Sequence, residues 1–262
     1  MKLNLIYFSA TGTTKRIIKA IADGVVSSLS EVEMVDYPLI KMNTVETVIA
    51  NDDIVVFAVP VYSGRVPKIA VEQINKFKSD GAHAIITVVY GNREYDDALF
   101  ELNDIVKENG FVTVAAGAFI AEHSIFPKVA TDRPNESDLS VAKEFGVRAC
   151  QITPSETKVN VPGNYPYKVP GSIPITPRTN KSKCIKSIKK DKEACGICVA
   201  ACPVGAIDSP KPTTDSDLCI KCAHCIDICP NQAREWGGLL YKIAEMKFVS
   251  NYSLPKNPVF FY

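Results

Sequence analysis

Cysteine placement constrains this chain more than any other feature. Eight of its nine cysteines fall between positions 184 and 229. Cys219-Ile-Lys-Cys222-Ala-His-Cys225-Ile-Asp-Ile-Cys229-Pro230 is a complete C-x2-C-x2-C-x3-C-P run, the spacing that holds a cubane iron–sulfur cluster. Upstream, Cys195-Gly-Ile-Cys198-Val-Ala-Ala-Cys202-Pro203 repeats the last three cysteines of such a run, and Cys184 supplies the first from beyond a Lys-rich insertion. Two residues between ligands wrap one turn of backbone around a cluster; three send the next cysteine to the other cluster. The spacing therefore assigns Cys184, Cys195, Cys198 and Cys229 to one cluster and Cys202, Cys219, Cys222 and Cys225 to a second. Pro203 and Pro230 stop the short helices before them. Ile185, Ile197, Val204, Ile207, Ile220, Ile226 and Ile228 offer the apolar surroundings that tune cluster potentials. A disulfide framework or structural zinc would be the other uses of so many cysteines. No secretory segment is expected before them, and paired runs of this kind are not zinc spacing.

Residues 181 to about 235 resemble a bacterial-type ferredoxin with two [4Fe-4S] clusters, a small α+β domain; the departure is the long gap from Cys184 to Cys195. A ferredoxin accounts for a small part of 262 residues, so an ordinary domain must precede it. Net charge is +1, from 30 basic and 29 acidic residues, which gives no reason to expect nucleic acid or an anionic membrane as a partner. No apolar run is long enough to span a bilayer. The chain opens directly on a strand pattern, and thiolates kept for metal need a reducing compartment, so the expected location is the cytoplasm.

Residues 1–153 alternate buried-strand runs with helix-period segments. Leu3 to Phe8, Ile54 to Val59, Ala84 to Val89 and Phe111 to Ile120 are nearly continuous apolar stretches, as strands buried on both faces must be; Glu31 to Asp36 alternates and suits an edge. Apolar residues at helical spacing lie between them, from Ile17 to Val25, Val66 to Phe77, Ala98 to Val106 and Leu139 to Ala149. This order predicts an α/β fold with a doubly wound, five-stranded parallel sheet, whose ligands bind beyond the carboxyl ends of the strands. Three loops lie there. Ser9-Ala10-Thr11-Gly12-Thr13-Thr14 opens the first helix and reads equally as a phosphate site or as plain N-capping. Pro60-Val61-Tyr62-Ser63-Gly64 and Tyr90-Gly91-Asn92-Arg93-Glu94-Tyr95 each set an aromatic near a glycine, suited to flanking a flat ring. Their convergence at one end of the sheet favours a ligand site.

With Ser9, Thr11, Gly12 and Thr14 in that pattern, residues 1–153 resemble a flavodoxin. The resemblance implies FMN, its phosphate on Ser9 to Thr14 and its ring between the loops at Pro60 and Tyr90, with Tyr62 and Tyr95 as the stacking aromatics. Arg93 near the ring would stabilise the reduced, anionic flavin and raise its potential. His123, after the fifth strand, reads as a hydrogen-bonded structural residue, and Cys150 as a small buried hydrophobe.

Residues 154–180 carry six prolines and no periodicity, the composition of a stiff linker, with Tyr165 and Tyr167 as anchors to a domain surface. Lys181, Lys183, Lys186, Lys189, Lys190 and Lys192 flank Cys184 as a solvated loop or as a docking patch for an acidic redox partner. The aromatic tail 236–262 is expected to pack on the first domain or on a second subunit in a dimer. As a whole the chain resembles flavodoxin–ferredoxin fusion proteins. That implies an electron-transfer protein working with redox partner proteins such as a ferredoxin, a flavodoxin or a reductase. The alternative is an FMN-dependent reductase of a small-molecule acceptor fed through the clusters.

Overall fold

The computed structural model describes residues 1–29, 31–41, 45–152, 159–168, 170–171, 173–185, 195–209 and 212–262. Lys186, Lys189, Lys190 and Lys192 of the basic stretch, and Pro154 of the linker, lie outside the described residues. The first domain runs β1 (Lys2–Tyr7), α1 (Thr13–Ser28), β2 (Glu33–Pro38), β3 (Thr47–Ile49), β4 (Ile54–Pro60), α2 (Lys68–Ile74), β5 (Phe77–Ser79), β6 (His83–Tyr90), α3 (Ala98–Glu108), β7 (Val112–Ile120) and α4 (Glu136–Ala149). After the linker come β8 (Arg178–Thr179), α5 (Lys181–Ile185), α6 (Ile197–Ala201), α7 (His224–Asp227), β9 (Arg234–Glu235), α8 (Leu239–Tyr252) and β10 (Val259–Phe261).

Strands β2, β1, β4, β6 and β7 form the parallel sheet in that order. Their apolar runs are continuous because both faces are covered. Val55, Phe57 and Val59 of β4 point into a core shared with α2 and α3, while Val56 and Ala58 point into one shared with α1 and α4. The sheet differs from expectation at its edge: the C-terminal β10 adds a sixth strand, antiparallel to β7. It satisfies backbone groups that β7 would otherwise expose. Phe260 stacks on Phe145, 5.0 Å between ring centroids, and lies 5.4 Å from Phe119.

The tail is thus tied to the first domain. Asn92, 1% exposed, donates to Tyr252 O at 2.7 Å and Leu254 O at 2.8 Å, and accepts from Lys256 N–H. One side of α8 lays Tyr241 and Phe248 on Phe126; the other leaves Leu239, Leu240, Ile243 and Met246 exposed. The linker is pinned to α3. Asp97 accepts from the backbone of Asn164 and Lys168 and from the Asn164 side chain, and Tyr167 donates to Asp104 at 2.8 Å while lying under Arg65. Tyr165, the second expected anchor, is 84% exposed.

In the cysteine module α6 and α7 are single turns launched from left-handed residues, Gly196 (φ 72°) and Ala223 (φ 62°). The backbone N–H of Ala206 donates to Cys202 Sγ and that of Ala233 to Cys229 Sγ, both at 3.2 Å, so the two halves repeat one geometry. The module sits over the carboxyl ends of the sheet: His224 Nδ1–H donates to Ala10 O at 2.6 Å, and Lys221 Nζ donates to Ile173 O of the linker at 2.6 Å.

A roofed cleft and two cysteine cavities

Beyond β1, β4, β6 and β7 lies a cleft lined from all four strand ends, where a doubly wound sheet places its ligand. Its floor at β1 is the N-terminus of α1. The backbone N–H groups of Thr13 and Thr14 have no acceptor within the helix, and no acidic residue stands in the first turn. Ala10, Thr11, Thr13 and Thr14 line the cleft. Ser9 does the capping instead, its hydroxyl accepting the Lys15 N–H at 3.1 Å. The loop therefore combines one side-chain hydrogen bond to the first turn with N–H groups left open toward the cleft.

The second wall is Pro60 to Gly64. Tyr62 and Arg65 exchange two backbone hydrogen bonds around Ser63 (φ 52°) and Gly64 (φ 75°), the two left-handed central residues of a type I′ turn. Arg65 anchors that turn on Glu101 through two hydrogen bonds of 2.8 and 2.6 Å. The turn presents Tyr62 edge-on to Phe8; burial, and then the neighbouring Cys222, push its phenol well above the usual range.

The third wall is Tyr90, Gly91 and Arg93. Burial, followed by Glu94 and Tyr95, pushes Tyr90 up to about 12. Asn92 and Tyr95 do not line the cleft, against expectation. The Arg93 N–H bonds back to Gly91 O at 2.7 Å with Asn92 at φ 59°, a three-residue turn that swings Asn92 toward the tail. Tyr95 packs edge-on to Tyr90 at 5.5 Å, so Tyr62 and Tyr90 are the tyrosines facing the ligand space. Arg93 faces the cleft, but Asp96 pairs with its guanidinium and offsets its charge there.

Other cleft residues escaped the sequence reading. The loop after β7 contributes Glu122 to Phe126, the module contributes Ile220 and Lys221, and α8 contributes Phe248. His123 is hydrogen-bonded, as expected, but also lines the cleft. Its Nδ1 accepts from the N–H groups of Ile125 and Phe126 at 3.1 and 3.2 Å, its ring lies edge-on to Phe248, and burial lowers its pKa to about 4. The loop after β7 thus brings one neutral imidazole to the cleft, beside Ser124, Ile125 and Phe126. These residues fit a phosphate-bearing flat ring. The helix N-terminus at Thr11, Thr13 and Thr14 would hold the phosphate end, and Tyr62, Tyr90 and Phe248 would flank the ring.

The cysteines ring two further cavities. Cys184, Cys195, Cys198 and Cys229 line the first; Cys202, Cys219, Cys222 and Cys225 line the second. Burial pushes the thiols of Cys184, Cys198, Cys219 and Cys225 up, and takes Cys222 to about 12. At Cys229 burial also pushes upward, but the N–H groups of Ala233, Arg234 and Asn231 outweigh it and lower the pKa. Among the described residues no three His, Cys, Asp or Glu side chains converge on a single-ion site. Four sulfurs spread around each cavity suit a multi-iron cluster instead. Cys150 stands apart, packed against the core of α1 and α4.

A flavodoxin domain model matches residues 4–120, and a 4Fe-4S binding domain model matches residues 212–235. No curated protein matches the chain. Among solved structures, a flavodoxin from the domain Archaea is 15% identical over 58% of this chain and 97% of its own, with a TM-score of 0.40. Flavodoxin 2 from Bacillus cereus is 13% identical over 58% of this chain and 99% of its own, TM-score 0.43. A flavodiiron core from Synechocystis is 18% identical over 58% of this chain, TM-score 0.42; the match spans 35% of that larger protein. No helix among the described residues is long and apolar enough to cross a membrane. The chain thus carries a flavodoxin domain and a 4Fe-4S binding domain in one polypeptide, the make-up of a flavodoxin–ferredoxin fusion, and the two domains support a redox role in electron transfer.

Proposed function

We propose that this protein is an electron carrier that connects an FMN in the cleft to two [4Fe-4S] clusters and, through them, to a redox partner protein in a reducing cytoplasm. When bound, FMN supplies the exchange of two electrons or one, and each cluster the exchange of one. The observation that carries the reading is the position of Ile220, which lines both the cleft and the cavity of Cys202, Cys219, Cys222 and Cys225. Cys222 belongs to the same packed core as Tyr62. That cysteine set is therefore the inner one. The set with Cys184 touches the cleft nowhere among its lining residues, and its Cys195 is exposed. The order inferred is flavin, inner cluster, outer cluster, partner, with exposed Lys181 and Lys183 beside Cys184 favouring an acidic partner.

In this reading the residues hold and shield more than they react. The N-terminus of α1 binds the phosphate, and Tyr62, Tyr90 and Phe248 confine the ring. Ile220 and Lys221 cover it from the module side, with Lys221 tied to Ile173, which narrows access to the ring. The roof weighs against the alternative, a reductase for a small substrate docking on the flavin. The test is anaerobic reoxidation of the chemically reduced, FMN- and iron-loaded protein by quinones, nitro compounds, enoates, ferredoxin and flavodoxin. Fast, salt-sensitive reaction with a protein acceptor alone supports the carrier. Saturable turnover with one small molecule would make the protein a reductase.

A further inference from the structure

Among the described residues, Arg234 is a buried cation without an anionic partner. It is 2% exposed and makes no ion pair among the described residues. Its hydrogen bonds go to neutral oxygens, Nη1 to Thr179 Oγ1 at 2.6 Å and Pro212 O at 2.9 Å, and Nη2 to Pro177 O at 3.2 Å and to Thr214 Oγ1. Nη2 also reaches Cys225 Sγ at 3.7 Å, and Nε, fully enclosed, has no hydrogen-bond partner among the described residues. A buried charge in this condition is strongly unfavourable unless something anionic stands beside it. The place for that anion is plain, because Arg234 lines both cysteine cavities.

The internal repeat shows that the fold itself does not call for this residue. Residues 195–207 and 222–234 match position for position at Cys195 and Cys222, Cys198 and Cys225, Cys202 and Cys229, and Ala206 and Ala233. The residue matching Arg234 is Ile207, 6% exposed. Ile207 bridges to Thr214 as Arg234 pairs with Thr179, so an apolar side chain serves the same backbone role in the other half. We propose that Arg234 is a positioning residue shared by the two clusters, a fixed internal cation that holds both anionic clusters and raises both of their reduction potentials. Reduction of either cluster by one electron adds one negative charge beside the guanidinium, which the cation stabilises. This rests on the two-cluster reading above.

The test counts iron in wild type and in Arg234→Met, then titrates each anaerobically with dithionite and follows the clusters by EPR. About eight irons per chain are expected in both. At a fixed potential the reduced-to-oxidised ratio of each cluster should fall at least about tenfold in the variant, a shift of about 59 mV for a one-electron couple. Unchanged midpoints in an Arg234→Met protein with its full iron, or a shift confined to one cluster, would overturn the shared role. If that variant loses iron, Arg234→Lys decides, since it keeps the charge and loses the fork. Midpoints at the wild-type values support the proposal, and midpoints lowered tenfold or more in ratio refute it. Four irons in wild type would instead remove the two-cluster reading, and the inference with it.

Discussion

At the scale of single residues, the cleft depends on a few close approaches. Gly91 is one: an added Cβ would stand 2.5 Å from His123 Cδ2 and 2.7 Å from its Cγ. Gly91→Ala should therefore displace the imidazole, weaken FMN binding at least about tenfold and cost about 1–3 kcal/mol of stability. Fluorescence titration of the apoprotein with FMN and urea unfolding measure the two effects. His123 gives a pH dependence with a definite sign. Its pKa falls from 6.5 to about 4 on folding, so its contribution is complete above 6.5 and is lost as pH falls toward 4. Between pH 7 and pH 5 wild type should lose on the order of 2 kcal/mol that His123→Phe retains. Equal losses in the two proteins would contradict it. The two cysteine sets were legible because local spacing fixes which side chains face one cavity. The directions of Asn92 and Tyr95 were not, because one turn at Gly91–Arg93 reverses the facing of neighbours and nothing in Gly-Asn-Arg announces it.

At the scale of elements, the buried strands β1, β4, β6 and β7 could be read directly, since a strand covered on both faces has to be apolar throughout. The three-residue β10 could not. Val259–Phe261 is too short to show a period, and its partner β7 lies more than a hundred residues earlier. What secures the tail is equally invisible in sequence, a single buried amide bonded to three backbone groups of the 252–256 turn. Asn92→Ala should leave those groups without their partner and cost about 2–3 kcal/mol. Hydrogen exchange should show the loss concentrated in α8 and β10, and uniform destabilisation across the sheet would count against this role for Asn92.

At the scale of the molecule, the linker and the tail fix one arrangement of the two halves. Asp97, Asp104 and Arg65 hold the linker along α3, Trp236 donates to Ser124 O at 2.9 Å, and His224 ties the module to the phosphate loop at Ala10. Tyr167 and the aromatic tail were legible as anchors, but their partners, and the contact of His224 with Ala10, have no sequence signature, so the two domains were legible and their stacking was not. The stacking makes the central claim specific: the cleft reaches a partner protein through the inner and then the outer cysteine set. The most direct measurement is the anaerobic reoxidation of reduced, bound FMN by ferredoxin in stopped flow. Wild type is compared with a Cys198→Ser protein that keeps its FMN and its inner cluster. The account predicts a fall of at least about a hundredfold in rate, roughly 3 kcal/mol in the barrier, when the outer cluster is missing. The same rate in both proteins would contradict it, because electrons would then be leaving the flavin without passing along the clusters.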